Sequence, residues 1–516
     1  MIDTTPRNRP IKQPHAETNP ALSRRALLRA AVGGAAANVM LPALAAAESA
    51  SLSQDLTTAS AVRLASAIRR REVSSVEVVD ACLRRIEALN PALNAIVQLN
   101  INAARAAAAA ADQALRRRDH VGPLHGVPFT VKDSFDTAGI ITTAGTTGRR
   151  SLVPSHDATV VARLRAAGGI LLGKTNTPEL TLSYETDNLV YGRTSNPYDL
   201  SRTSGGSSGG AAAAIAAGCS PLDICSDTGG SIRVPSHFCG TAGLKPTSGR
   251  IPRTGHVISY DGVLQPFTQP GPIARRVEDL MMLLPILAGP DGRDPWIVPM
   301  PLRDPNAVSF RRLRVITHGD NGIRSADASC VRSVHDAANA LAAAGCVVEE
   351  FRPSELAATY DLGNRLWRAA GSATVRRILA SSGTTEVSLP LRPWLNSPTT
   401  AQPEEWTGLL EQLDRARSSM LSLFERCDAI LCPPCAFIAL EHGATQREDL
   451  DSGFSYSEVF NYLGWPAAVV RCGTVGRLPV GVQVVASPWR EDIVLAVARK
   501  LETALGGWQP PPPDHA

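Results

Sequence analysis

The sequence contains 516 residues, of which 44% are hydrophobic and 19% are charged. This length and hydrophobic content are sufficient for a large buried core, and they exclude an intrinsically disordered chain. The net charge is +4, but residues 1–47 alone contain six Lys or Arg residues and two acidic residues, so the rest of the chain has no net charge. A neutral body argues against nucleic acid as the main partner, because phosphate binding needs a basic surface.

Residues 1–47 have the composition of an export signal. The pair Arg24 and Arg25 precedes a weakly apolar, Ala- and Gly-rich stretch at 30–44, which small residues follow. A charged start, a short apolar run and a small-residue end are typical of a secretory leader, and the arginine pair is typical of the twin-arginine type. We therefore expect the twin-arginine machinery to export the protein to the periplasm or the medium. The apolar run is too short for a stable membrane span.

The first part of the remaining chain has helical periodicity. Apolar residues at three- and four-residue spacing predict helices over 61–71 and 76–89. Ser75 is the expected N-cap of the second helix, and Asn90-Pro91 is its expected end.

From residue 123 onward, short apolar strands alternate with helices. Residues 126–131 and 170–173 have the composition of buried strands, and 159–167 has a helical pattern between them. Apolar runs at 467–470 and 481–485 predict strands near the end of the chain. This alternation predicts an α/β fold.

We expect a single large domain over residues 48–508. Its core motif region is expected at 123–250, and a more varied region at about 290–440 is expected to shape a substrate pocket. The proline-rich residues 509–516 are predicted to be a disordered tail.

Ten cysteines are present without regular spacing. Cys432 and Cys435 have C-x-x-C spacing, which leaves a disulfide open. No second cysteine pair or nearby histidine pair accompanies them, so we expect no metal site.

Two Gly- and Ser-rich segments contain the strongest functional signal: GGSSGG at 205–210 and DTGGSIRVPS at 227–236. A flexible linker would not be followed at once by a compact alanine-rich helix and an apolar strand. The chain here has neither a P-loop signature nor a G-x-S-x-G elbow. Glycines allow a substrate to approach the backbone closely. Consecutive N–H groups at Thr228, Gly229, Gly230 and Ser231 could bind one oxygen, as in an oxyanion hole.

In this order, the two segments resemble the signature of the amidase signature family. The stretches HGVP with VKD around Lys132, GKTNTPE at 173–179 and GLKPT at 243–247 also resemble the family, and the likeness extends over about residues 56–505. The resemblance implies a mixed central β-sheet covered by helices on both faces. It also implies hydrolysis of a small-molecule amide without a metal or another cofactor.

The resemblance further implies catalytic roles for three side chains. Ser231 would be the nucleophile, Ser207 the proton relay and Lys132 the base, and the Gly206–Ser207 peptide bond would be cis. A lysine must be neutral to act as a base, and burial can lower its pKa enough. None of the ten histidines is an obvious triad partner for Ser231.

Three other residues near these serines are expected to support them. Asp227 and Arg233 flank the nucleophile and could brace its loop through charge-assisted hydrogen bonds. Ser208 is expected to form hydrogen bonds within its own loop.

Other functions share this pattern: the A-type component of a glutamyl-tRNA amidotransferase, an esterase and a non-catalytic binder. The expected leader and the neutral body argue against the tRNA-dependent role. Intact candidate residues at all three catalytic positions argue against a binder. The sequence leaves the substrate and the oligomeric state open, a homodimer included.

Overall fold

A computed structural model of the protein describes residues 56–259, 262, 265–396 and 401–512. The proposed leader, residues 1–47, lies outside the described residues, as does the end of the 509–516 tail. All described residues belong to one compact unit. At the start of the tail, the Gln509 carbonyl accepts a hydrogen bond from the Tyr198 hydroxyl at 2.5 Å.

A large mixed β-sheet is the centre of the fold. Eleven of the strands form it in the order β1-β3-β2-β6-β8-β7-β12-β13-β11-β9-β10, and β4 pairs with β5 separately. The strands are β1 (Ile96–Leu99), β2 (Pro128–Lys132), β3 (Ile170–Thr175), β4 (Ser195–Asn196), β5 (Asp199–Thr203), β6 (Leu222–Asp227), β7 (Ala242–Lys245), β8 (Gln269–Ala274), β9 (Arg314–Thr317), β10 (Val347–Glu350), β11 (Ala429–Cys432), β12 (Ala467–Val475) and β13 (Leu478–Ala486).

The sheet combines both kinds of strand pairing. β3, β2 and β6 are mutually parallel neighbours, and so are β11, β9 and β10. Antiparallel pairs through β8, β7, β12 and β13 join the two parallel groups. Parallel strands need long crossovers, which the helices supply. The expected α/β fold, with helices flanking a mixed central sheet, is thus confirmed.

The helices are α1 (Ala61–Arg70), α2 (Ser75–Leu93), α3 (Ile101–Arg117), α4 (Thr159–Ala166), α5 (Gly209–Ala216), α6 (Arg233–Cys239), α7 (Val277–Leu287), α8 (Ala328–Ala343), α9 (Leu356–Ser382), α10 (Arg392–Asn396), α11 (Pro403–Leu421), α12 (Leu423–Arg426), α13 (Glu448–Asp451), α14 (Ser455–Tyr462) and α15 (Glu491–Leu505). Within the described ranges, no helix is both long enough and apolar enough to cross a membrane.

Helix α2 differs from the prediction at both ends. Its N-cap is Ser74, not Ser75, because Ser74 and Glu77 form a reciprocal capping box. The helix also continues past the expected stop, through Pro91 to Leu93. In this last turn proline removes only the hydrogen bond of its own missing N–H. The Asn90 side chain then accepts from the N–H groups of residues 95 and 96 and ties the helix end to β1.

All ten cysteines are buried free thiols, so the disulfide that the Cys432/Cys435 spacing left open is not formed. The early cysteines that we expected to pack in the core do so: Cys82, Cys219, Cys225 and Cys239 are each at most 2% exposed.

Helix α5 follows the GGSSGG segment and is buried along its whole length. Its small residues let it lie close to the sheet. A Cβ atom added to Gly210 would be 2.4 Å from the Asn176 nitrogen and 2.7 Å from the Ala95 carbonyl oxygen. Both neighbours are backbone atoms, which cannot rotate away.

Replacing Gly210 with Ala should therefore destabilise the protein by about 1–3 kcal/mol, the usual cost of overpacking a core. Gly408→Ala is the matched control, because this helical glycine has open space and meets only the tip of Gln412 at 3.9 Å. There the helix propensity of alanine should stabilise by about 1 kcal/mol. Denaturation temperatures measured at one scan rate should fall for Gly210→Ala and rise for Gly408→Ala. Equal shifts would contradict the packing argument.

Candidate active site

Two neighbouring parallel strands end at one edge of the sheet, and each carries a candidate residue there. Lys132 is the last residue of β2, and Asp227 is the last residue of β6. The two strands pair in parallel. The chain continues from Asp227 through the DTGGS turn into α6, so Ser231 follows directly after this edge. Ligands of α/β sheets bind beyond the carboxyl ends of parallel strands, which makes this edge the expected place for a site.

Lys132 is completely buried and contacts the first serine of the GGSSGG segment. Its Nζ donates to Ser207 Oγ at 2.6 Å and to Ser226 Oγ at 3.2 Å. Burial lowers the pKa of Lys132 from 10.5 to about 7, although the neighbouring acidic groups of β6 oppose the shift. A large fraction of this lysine is therefore neutral at neutral pH, as a general base must be.

A lowered lysine pKa does not by itself mark this site. Lys174 and Lys245 are also buried, and desolvation lowers their pKa values to about 8 and about 7. Lys174 donates to Thr137 Oγ1 at 2.8 Å, and Lys245 donates to the Pro246 carbonyl at 3.1 Å. Both have the structural environment that we expected for them. Lys132 is distinguished by its serine partners.

The turn before α5 brings the two Gly- and Ser-rich segments together. The Gly206–Ser207 peptide bond is cis, as the family resemblance implies. The Ser208 N–H donates to the Ser231 carbonyl at 3.2 Å, and the Ser208 hydroxyl donates to the Ser226 carbonyl at 3.4 Å. Ser208 thus joins the loop that holds Ser207 to the loop that holds Ser231. Ser231 retains 6% exposure, whereas Ser207 has none.

Asp227 holds the turn that carries Ser231. Its carboxylate accepts from the N–H groups of Gly230 at 2.8 Å and Ile232 at 3.0 Å. The Arg233 guanidinium donates to the same carboxylate at 2.9 and 3.0 Å, and both side chains are fully buried. Burial alone would raise the pKa of Asp227, but the charge and hydrogen bonds of Arg233 outweigh it and lower that pKa. Asp227 therefore remains ionised and braces the turn.

The Asp227 carboxylate also changes the set of candidate oxyanion donors. The N–H groups of Thr228, Gly229 and Gly230 were expected to serve. The Gly230 N–H is already taken by Asp227, which is a strong charged acceptor at 2.8 Å. Across the described ranges, the N–H groups of Thr228, Gly229 and Ser231 meet no acceptor. These three are the remaining candidates for binding an oxyanion.

A buried tyrosine–glutamate pair, which sequence reasoning missed, lies against this loop. The Tyr184 hydroxyl is 2.7 Å from the Gly229 carbonyl and 2.6 Å from Glu458 Oε1. Burial raises the pKa of Glu458 to about 8. A protonated Glu458 can donate to Tyr184, which then donates to Gly229, so the pair fixes the orientation of this peptide. Glu458 lies on α14, far from the motif in sequence, and no local signal indicates it.

Ser226 and His256 were also missed. Ser226 directly precedes the predicted motif and contacts Lys132, so its position beside Asp227 was a usable signal. His256 Nε2 lies 2.9 Å from Ser226 Oγ, but nothing in the sequence pairs these two residues. In the described part of the chain, no cluster of three His, Cys, Asp or Glu side chains has the arrangement of a metal site.

A sheet edge with a buried lysine, two contacting serine loops and free backbone N–H groups defines a hydrolase-type site. A family model described as Amidase matches residues 77–495, and the chain belongs to this family, the amidase signature enzymes. The protein is therefore an enzyme of the class that hydrolyses amides.

Curated relatives have two different activities. The chain is 34% identical to fatty-acid amide hydrolase 2-B of Danio rerio over 495 residues, which cover 89% of this chain and 92% of the relative. It is also 34% identical to the A-type component of the glutamyl-tRNA(Gln) amidotransferase of Salinispora tropica over 496 residues, which cover 89% and 99%. Identity alone does not choose between these activities.

Solved structures share the fold. A 6-aminohexanoate cyclic dimer hydrolase matches with a TM-score of 0.77 at 29% identity, over 88% of this chain and 98% of that one. A bacterial aryl acylamidase of the amidase signature family matches with a TM-score of 0.78 at 25% identity, over 87% and 96%.

Proposed function

We propose that the protein is an amidohydrolase that cleaves a carboxylic acid amide through an acyl-enzyme on Ser231. The observation that carries this proposal is the 2.6 Å hydrogen bond between Lys132 Nζ and Ser207 Oγ. It joins a lysine with a pKa of about 7 to a serine whose loop is bonded to the loop of Ser231. No charged general base other than this lysine is needed to activate the nucleophile.

In the first half of the reaction, Ser231 Oγ attacks the amide carbon. Its proton passes to Ser207 Oγ while the Ser207 proton passes to neutral Lys132. The negative charge that develops on the carbonyl oxygen is bound by backbone N–H groups, for which Thr228, Gly229 and Ser231 are the candidates. The C–N bond then breaks, and the amine leaves with a proton returned from Lys132 through Ser207.

In the second half, water replaces the amine. Lys132 and Ser207 remove a proton from the water as it attacks the acyl carbon, and Ser231 regains its own proton as the acid is released. The base and the relay therefore return to their starting states after each turnover.

An apolar acyl or aryl group is the substrate portion that the surroundings favour. Leu182, Ile258 and Val375 form a buried apolar cluster with Trp367 and Trp394 at its margin. Leu182 lies in the Tyr184 loop, and Val375 lies on α9, inside the variable region expected to shape the pocket. Aryl amides, fatty acyl amides and peptide amides are all compatible with such a surface.

A component of a tRNA-dependent amidotransferase is the main alternative. The neutral charge of the chain beyond the leader favours the free amidase, because tRNA binding relies on basic surfaces. Esterase activity would use the same acyl-enzyme and differ only in the leaving group.

Replacing Ser231 with Ala should abolish amide turnover and labelling by a fluorophosphonate probe, since both need the Oγ nucleophile. Ser208→Ala is the matched control, because it removes a neighbouring hydroxyl that makes only a 3.4 Å contact to a carbonyl, and it should keep most of both. A panel of aryl, fatty acyl and peptide amides scored by kcat/KM supplies the substrate. Turnover by Ser231→Ala at the wild-type rate would refute the proposal, and wild-type labelling without turnover of any amide would favour a binder.

The rate should depend on pH through Lys132. Its neutral form is the base, so kcat/KM should rise about tenfold per pH unit below pH 7 and level off above it, as the lysine loses its proton near its pKa of about 7. Lys132→Arg should be inactive at every pH from 6 to 9, because arginine keeps its proton there. A substrate without ionisable groups excludes titration of the substrate. A flat profile over this range, with chemistry rate-limiting, would contradict a lysine base.

We further propose that the protein is exported by the twin-arginine pathway. The support is the sequence of residues 1–47, with Arg24 and Arg25 before an Ala- and Gly-rich run. In a bacterial host that has this pathway, wild-type protein should appear in the periplasmic fraction. Replacing both arginines with lysine should retain it in the cytoplasm. Equal export of both proteins would contradict the assignment.

A further inference from the structure

Lys132 has a second serine partner that the proposed mechanism does not use. Ser226 lies on β6, is 1% exposed, and accepts from Lys132 Nζ at 3.2 Å. On its other side, Ser226 Oγ is 2.9 Å from His256 Nε2. Lys132, Ser226 and His256 therefore form a buried chain that leads away from Ser207.

His256 is held rigidly beside β2. Its backbone forms an antiparallel bridge with Phe135, three residues after Lys132, and the Val257 N–H donates to the Ser134 carbonyl at 2.9 Å. The imidazole also packs against the Phe135 ring, with centroids 4.6 Å apart. The histidine side chain thus cannot move far from Ser226.

The surroundings of the imidazole fix its protonation. Burial lowers the pKa of His256 to about 3, the charges of Lys132, Arg149 and Arg253 act in the same direction, and only the contact with the Ile258 carbonyl opposes them. The ring is therefore neutral and carries a single proton. Nδ1 lies 2.8 Å from the Ile258 carbonyl oxygen and 3.2 Å from the Ile258 nitrogen. The shorter contact is to an acceptor, so we assign the proton to Nδ1.

This tautomer determines what Ser226 offers to Lys132. With a proton on Nδ1, Nε2 has only a lone pair and must accept from the Ser226 hydroxyl. A hydroxyl has one proton, so Ser226 then offers only lone pairs to Lys132. A neutral lysine amine has two N–H groups and one lone pair. Ser226 binds an N–H group, and the lone pair stays free for the proton of Ser207.

We propose that His256 is a positioning residue that, through Ser226, keeps the lone pair of Lys132 directed at Ser207. Without the histidine acceptor, the Ser226 hydroxyl can turn and donate to the amine, where it competes with Ser207 for the base. Asp223, Asp227 and Cys225 also face Lys132 and affect its pKa, but the proposed role of His256 is to select the hydrogen-bond direction. This inference rests on Lys132 being the base of the proposed reaction.

A double-mutant cycle between His256 and Ser226 tests the proposal. His256→Asn keeps a polar amide near Ile258 but is too short to reach Ser226. It should lower kcat by about tenfold or more, since general-base catalysis contributes about 100- to 10,000-fold, and it should leave KM nearly unchanged. In the Ser226→Ala background no hydroxyl can compete for the amine, so adding His256→Asn should cause little further loss. His256→Phe, which keeps the ring volume, serves in the same cycle if the Asn variant does not fold.

The outcomes separate this inference from the proposed function. A wild-type kcat for His256→Asn would overturn it, and so would equal losses of kcat in the wild-type and Ser226→Ala backgrounds, because His256 would then not act through Ser226. If Lys132→Arg retained wild-type turnover, the lysine base itself would be wrong. An inactive Lys132→Arg together with a wild-type His256→Asn would overturn the role of His256 alone.

Discussion

The structure depends on the removal of one amine from water. A lysine at the end of a central strand is solvated by neither bulk water nor a paired carboxylate within hydrogen-bond distance, so its charged form loses much of its stabilisation. Asp223 and Asp227 lower this penalty through their charge but do not hydrogen-bond to Lys132. Direct pairing with either would have kept the lysine protonated at neutral pH. Two serine hydroxyls are suitable partners because they can accept from the amine in both of its protonation states.

Asp227 shows how an ionised group can be placed close to such an amine. Its charge is balanced by Arg233, which also donates to the Gln483 side chain at 2.6 Å and to the Ser457 carbonyl at 2.8 Å. Asn461 Nδ2 adds a further hydrogen bond to the carboxylate at 2.9 Å. These partners come from α14 and β13, near the end of the chain. The nucleophile turn is therefore fixed only when the first and last parts of the domain have assembled, which ties an intact site to a complete fold.

The parts of this arrangement that are local in sequence could be predicted, and those that are distant could not. The glycine-rich segments, the α/β alternation and the absence of a histidine triad follow from composition and spacing. The roles of Lys132 and Ser207 needed a family resemblance, because no local pattern distinguishes Lys132 from Lys174 or Lys245. Gly230 was expected to be an oxyanion donor, but whether an N–H group is free depends on where the Asp227 side chain turns. Glu458 contacts Tyr184 across most of the chain, and such a pair has no sequence signal.

The ten cysteines have a consequence for the environments in which the enzyme can work. None forms a disulfide, and all are buried. Burial raises the pKa of nine of the thiols, which leaves almost no thiolate for oxidants or disulfide exchange to attack. The fold thus has no redox-dependent cross-link to gain or lose. It can be completed in a reducing compartment and remain unchanged in an oxidising one, without help from disulfide-forming catalysts.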